Sequence, residues 1–208
     1  MRPPSVLCAS GLHPAARGPM PAPMKTPRAL VILAEGAEEM ETTIIVDVLR
    51  RAEVEVVLAG LDGPGPVRCS RGVRLVPDAD LSAVTGDFDV VVLPGGKGGA
   101  DRLASSPAVG ERLHAQAQAG RVVAAICAAP IALAAHGLFQ GRRMACHPSV
   151  NDVVSAHGEL LASPVVEDGL LVTSQGPGTA MAFALALVAR LRGEEIAAKV
   201  RAPMMLTD

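Results

Sequence analysis

The sequence predicts a doubly wound α/β domain, a mainly parallel sheet with helices on both faces. Three observations carry this. Residues 29–33, 54–59, 89–93 and 122–126 are near-continuous apolar runs of strand length, as expected of parallel strands buried on both sides. Stretches with helical spacing alternate with them, and the connections are short and rich in glycine and proline.

In chain order, residues 29–33 read as the first strand, 38–52 as a helix, 54–59 as a second strand and 89–93 as a third, ending at Pro94-Gly95-Gly96. Ser106-Pro107 starts a helix with proline in its first turn, and Gly120 stops it before the strand 122–126. A further helix is expected from Ala128 to Gly137. Residues 67–69 and 73–76 flank the turn Ser70-Arg71-Gly72 and read as a hairpin added to the sheet. A second hairpin pairs 165–166 with 170–173, after which Gly176-Pro177-Gly178 opens a long apolar helix, 179–191, closed at Gly193.

With 208 residues and 50% apolar content the chain can fill one core, and residues 28–208 are expected to form it as a single domain. A net charge of -2 offers no electrostatic footprint for sequence-specific nucleic acid binding, and no run approaches the roughly 18 apolar residues of a membrane span. Aromatic content of 1% argues against base-stacking platforms. Cysteines 8, 69, 127 and 146 have neither metal-site spacing nor the density of a small disulfide scaffold, and a reducing, cytoplasmic setting fits. Residues 1–27 hold seven of the 17 prolines, and the first acid in the chain is Glu35. They read as a disordered leader or upstream start extension, with Met20 or Met24 as the true beginning, or as a mitochondrial or plastid transit peptide.

Cys127 falls where a buried strand turns into a helix, with Ala125 and Ala129 as the small neighbours such an elbow requires. Unpaired amides at the helix start are expected to favour its thiolate, which suits a nucleophile. A small core hydrophobe would also fit the position. In an open parallel sheet the loops after residues 33, 93 and 126 converge on one crevice. Glu41 should lie in it, because it shares an apolar helix face with Ile44, Ile45, Val48 and Leu49. Burial would raise its pKa and leave a carboxyl able to donate a hydrogen bond to sulfur; a carboxylate bonded to a neighbouring loop is the alternative. Glu38 and Glu39 need no role beyond complementing the helix dipole. In the loop from Leu93 to Gly99, Gly95 and Gly96 permit close backbone approach, and the amides of Gly96 and Ala128 are candidate oxyanion donors. His147 either orients a cysteine or caps a loop.

Residues 28–42 (RALVILAEGAEEMET), 90–96 (VVVLPGG), 124–130 (AAICAAP) and 173–179 (TSQGPGT) together resemble the ThiJ/PfpI superfamily, and within it the Parkinson-disease protein deglycase branch. The resemblance extends to the ending 202–208 (APMMLTD). It implies a flavodoxin-like three-layer sandwich that forms a homodimer. It places Cys127 on the family's nucleophile, Glu41 on its protonated glutamate, His147 on an active-site histidine and Gly96 on an oxyanion-loop position. Arg51 and Arg71 match basic residues that bind anions near the family's pocket. The implied activity is glutathione-independent conversion of methylglyoxal to lactate, or removal of early glyoxal adducts from protein or nucleotide amines and thiols, without metal or organic cofactor. The alternative implied is a redox-sensing chaperone signalled by oxidation of Cys127 to sulfinic acid. Against the animal members, Val76 replaces a cysteine, Lys97 an asparagine, Gln175 an arginine and Ala129 a glycine.

Overall fold

The computed structural model describes residues 25–206. Most of the predicted leader, with Cys8, Met20 and Met24, lies outside them. In chain order the strands are β1 (Arg28–Leu33), β2 (Glu55–Gly60), β3 (Val67–Arg68), β4 (Arg74–Leu75), β5 (Ala79–Asp80), β6 (Val90–Leu93), β7 (Val122–Ile126), β8 (Arg143–Met144), β9 (Glu159–Leu160), β10 (Val165–Asp168) and β11 (Leu171–Ser174). The helices are α1 (Glu39–Arg51), α2 (Lys97–Ser105), α3 (Pro107–Gln118), α4 (Pro130–Ala135), α5 (Asn151–Ser155), α6 (Ala180–Arg192) and α7 (Glu194–Arg201).

Seven strands form one sheet in the order β10-β11-β7-β6-β1-β2-β5, parallel except where β10 pairs antiparallel with β11. Helices α1, α6 and α7 pack together, as do α2, α3, α4 and α5, which gives the three layers of a flavodoxin-like sandwich. Burial explains why the central strands carry no polar alternation. Ala29 to Leu33, Val90 to Leu93 and Val123 to Ile126 are fully enclosed. Truncating one such residue, Leu30→Ala for example, costs about 2–5 kcal/mol. The chain leaves β1 for β2 on one side and returns to β6 on the other, so the switch point lies between β1 and β6. Loops at the carboxyl ends of these strands and of β7 meet there.

Four elements differ from expectation. The hairpin β3–β4 forms its own two-stranded sheet rather than joining the main one, and the strand beyond β2 is β5. The glycine loop ends at Gly96, because Lys97, Gly98 and Gly99 form the first turn of α2. Helix α4 begins at Pro130 and spans six residues, with 127–129 as a turn. Beyond Gly193 a further helix, α7, carries Glu194 and Glu195 in its first turn and Lys199 and Arg201 in its last. This is the charge order that complements a helix dipole.

Candidate active site

The site is built from three backbone turns. Cys127 follows β7 with φ 63°, a left-handed conformation that costs a non-glycine residue about 1–2 kcal/mol. Backbone bonds on both sides hold it there. Its N–H donates to the carbonyl of Ser174 (2.9 Å), and its own carbonyl accepts from the amide of His147 (2.8 Å). The strain turns the side chain out of the strand line and toward the crevice, as at a nucleophile elbow.

Glu41 sits in the first turn of α1 and is fully buried. Its helix start is fixed by Glu38, which caps with its carboxylate on the Glu41 amide (2.8 Å) and accepts the Thr42 hydroxyl at its carbonyl (2.9 Å). The loop after β6 is stapled to this start by a reciprocal pair: the Glu38 amide donates to the Gly95 carbonyl (2.9 Å), and the Gly95 amide donates to Glu41 Oε2 (2.7 Å). The other oxygen, Oε1, is buried with no hydrogen-bond partner among the described residues. A buried bare oxygen is costly unless it holds a proton and uses it.

Gly95 and Gly96 are required for different reasons. A Cβ on Gly95 would lie 2.5 Å from the Cys127 Cβ and 2.7 Å from Glu41 Oε2. Gly96 has φ 82°, and a Cβ there would meet the Glu38 amide and the Gly36 carbonyl at 2.5 Å. Gly176, read from the sequence only as a helix opener, also faces the site; a Cβ on it would lie 3.6 Å from His147 Cδ2 and 4.0 Å from Cys127 Sγ.

The electrostatics correct one expectation. Burial raises Glu41 to about 7, as anticipated, against the lowering effects of the Cys127 thiol and the Gly95 amide. Cys127, however, is not made acidic by a helix end. Burial, then the charge of Glu41, pushes its thiol up to about 12, while the Gly96 and Ala128 amides pull the other way. Because α4 starts three residues further on, its end amides do not offset desolvation of the sulfur. Below about 7 both groups hold a proton; above it the pair carries one negative charge and one proton.

His147 lies on the exposed side of the cleft and caps the turn that follows it. Its Nδ1 accepts the Ser149 amide hydrogen (3.2 Å) and lies 2.9 Å from the Ser149 hydroxyl. The neutral ring therefore carries its hydrogen on Nε2. Arg71 lines the same cleft, which encloses about 1060 Å³ and includes Glu38, Gly96, Cys127, Ala128 and His147. Arg51 does not. It ends α1, ten residues beyond Glu41, and pairs with Asp47 at 2.7 Å on the helix surface.

Sequence reasoning also missed a latch. Glu39 accepts from the Ser70 hydroxyl (2.9 Å) and from the amides of Arg71 (2.9 Å) and Val73 (3.4 Å), tying the β3–β4 turn to α1 beside the cleft. Burial works against its ionisation, but these donors outweigh it and hold its carboxyl below the usual range. No spacing rule joins residues 39 and 70, so only the folded chain reveals the pair.

Similar proteins converge on the same architecture. Residues 27–190 match the DJ-1/PfpI family model. The chain is 50% identical over 185 residues to the Parkinson disease protein 7 homolog of Danio rerio, covering 87% of this chain and 98% of that one. It is 40% identical over 181 residues to the glutathione-independent glyoxalase DJR-1.2 of Caenorhabditis elegans, covering 86% and 96%. The crystal structure of Drosophila melanogaster DJ-1beta superposes with a TM-score of 0.87 at 45% identity, covering 88% of this chain and all of that one. With a family model spanning most of its length and relatives at up to half identity on nearly their full length, the chain belongs to the DJ-1/PfpI family.

Proposed function

We propose that the protein is a cysteine-dependent, glutathione-independent glyoxalase that also acts on early glyoxal adducts, with Cys127 as nucleophile and Glu41 as proton carrier. The observation that supports it most is the buried Glu41 carboxyl, bonded at one oxygen to the Gly95 amide and interacting with the Cys127 side chain. The name of the Caenorhabditis elegans relative points the same way.

In this reading the singly protonated pair is the competent form. Sulfur attacks the aldehyde carbon of methylglyoxal, an S–C bond forms, and the carbonyl electron pair moves to oxygen, where the Gly96 and Ala128 amides receive it. Protonation gives a hemithioacetal. Glu41 then takes the hydrogen from the former aldehyde carbon and returns it to the ketone carbon, leaving a lactoyl thioester on Cys127. Water hydrolyses the thioester, releasing lactate and restoring the thiol. The balance is methylglyoxal plus water to lactate, with no external oxidant or reductant. His147, through Nε2, and Arg71 orient the substrate at the cleft mouth. The test is lactate formation from methylglyoxal by the wild type and by Cys127→Ser, in buffer free of amines and added thiols. Turnover surviving in the variant rejects the covalent route.

A second reading uses the same atoms. Peroxide oxidation of Cys127 to sulfinate would give the neighbouring protonated Glu41 carboxyl an oxygen acceptor, as in a redox sensor. Selective Cys127 oxidation by mild peroxide, in a protein that forms no lactate, favours this reading over the first.

A further inference from the structure

Six polar or charged side chains are buried among the described residues: Glu39, Glu41, Thr42, Gln116, Thr173 and Ser174. Glu41 belongs to the reacting pair and Glu39 latches the β3–β4 turn. Thr42 bonds the Glu38 carbonyl, and Gln116 bonds the carbonyls of Phe88 (2.9 Å) and Val122 (3.1 Å). Thr173 and Ser174 remain. They end β11 and are fully enclosed, whereas the enclosed parts of β1, β6 and β7 carry apolar side chains only. A hydroxyl in such a place is costly unless its hydrogen bonds are made. Neighbours on a strand point to opposite faces, so the two hydroxyls reach different segments.

Thr173 Oγ1 accepts the Ala145 amide hydrogen (2.8 Å), on the segment that two residues later places the His147 amide on the Cys127 carbonyl. Ser174 Oγ donates to the Pro164 carbonyl (2.6 Å) and lies 2.6 Å from Thr179 Oγ1. With its one hydrogen engaged, Ser174 Oγ is an acceptor for the Thr179 hydroxyl. That hydroxyl also lies 2.9 Å from the Gly176 carbonyl and takes the Gly176 amide hydrogen at 3.1 Å, which fixes the turn facing Cys127 Sγ. The Ser174 carbonyl in turn accepts from the Cys127 amide. Both backbone bonds that hold Cys127 in its left-handed conformation therefore trace to the end of β11, one through each hydroxyl residue. We infer that Thr173 and Ser174 are positioning residues of the reaction, clamping the elbow from either side so that the sulfur stays aimed into the crevice rather than back along β7. The inference rests on the reading of Cys127 as nucleophile and adds the groups that set its direction. Neither hydroxyl touches the substrate, so losing one lowers kcat and leaves KM nearly unchanged.

The experiment measures methylglyoxal turnover and the rate at which iodoacetamide alkylates Cys127, the latter read at that residue by mass spectrometry. It compares the wild type with Thr173→Val, Ser174→Ala, the conservative Thr173→Ser, and Gln116→Leu. The last loses two buried hydrogen bonds, one of them to Val122 at the far end of β7 from Cys127, and so reports what destabilisation alone does. Thr173→Val and Ser174→Ala are expected to lower kcat by about 10–10²-fold, in keeping with a displacement of up to about 1 Å, and to slow Cys127 alkylation roughly tenfold. Thr173→Ser restores both rates, and Gln116→Leu keeps them although its urea midpoint falls as far. Wild-type kcat and alkylation in either Thr173→Val or Ser174→Ala overturn the inference, as does an equal loss in Gln116→Leu or a Thr173→Ser variant as slow as Thr173→Val. If Ser174→Ala does not fold, Thr173→Val, which keeps the shape of its side chain, decides alone. If the wild type forms no lactate from methylglyoxal, the glyoxalase reading fails, and the alkylation rates still decide whether β11 aims the sulfur.

Discussion

Gly95 donates its amide hydrogen to Glu41 Oε2 over 2.7 Å, and so leaves Oε1 as the oxygen of that carboxyl free to carry the proton. A backbone group thus sets which oxygen of the carboxyl holds the hydrogen.

Cys127→Ser keeps the size and the backbone bonds of the elbow but replaces sulfur with a far weaker acid and nucleophile. Lactate formation is expected to fall to background, with circular dichroism and thermal midpoint close to wild type. A collapsed fold would instead assign Cys127 to the core.

Glu41→Gln removes the carrier of the proton while retaining an oxygen for the Gly95 amide. A loss of about 10²–10⁴-fold in kcat is expected, the usual contribution of a positioned acid–base group. The wild-type kcat/KM should rise with pH through about 7, as the pair loses its first proton, and the variant should lack that step. Identical pH profiles would remove Glu41 from the chemistry.

Stability should follow the same carboxyl. Folded Glu41 keeps its proton up to about 7, whereas its ordinary value is 4.5, so the folded state binds more protons between those limits. Its contribution is therefore fully present below about 4.5 and is lost as pH rises through 7, on the order of 3 kcal/mol in all. Urea midpoints across this window should decline in the wild type relative to Glu41→Gln. A parallel pair of curves contradicts the raised carboxyl.

Gly95→Ala forces a Cβ to within 2.5 Å of the Cys127 Cβ and 2.8 Å of the Ile126 carbonyl. Backbone must shift, which costs about 1–3 kcal/mol and misaligns both reacting groups. Activity is expected to fall by at least 10²-fold, in keeping with a displacement near 1 Å. An active, fully stable variant would show that the loop yields freely.

His147 combines a cap with a place in the cleft, and two variants separate these. His147→Asn retains a capping oxygen for the Ser149 amide, whereas His147→Ala loses it at a cost of about 1 kcal/mol. If the ring acts on substrate, both variants lose kcat/KM equally and only the alanine variant loses stability. Full activity in the asparagine variant would assign His147 to capping alone.

The legible and illegible parts of this chain divide by range. Enclosed strands read directly from their uninterrupted valine, leucine and isoleucine, because a strand covered on both faces has no polar side to alternate with. The helical phase of Ile45, Val48 and Leu49 was enough to put Glu41 inside, and the small residues around Cys127 were enough to mark an elbow. Two-residue strands such as β5 and β8 carry no period to detect, and the turn of α2 through Gly98 and Gly99 overrides glycine's low helix propensity.

What the sequence determined by itself was the set of enclosed strands, their alternation with helices, and the convergence of residues 41, 95–96 and 127 at one end of the sheet, since these follow from periodicity and the handedness of the crossovers. The tertiary structure alone decided three things. It separated Arg51 from the cleft, because that residue stands at the other end of α1 from Glu41. It latched Glu39 to Ser70 and Arg71 across the fold. And it raised both Glu41 and Cys127, so that the pair passes to a single proton only above about 7, because desolvation depends on what surrounds each group in space, which the order of residues along the chain does not contain.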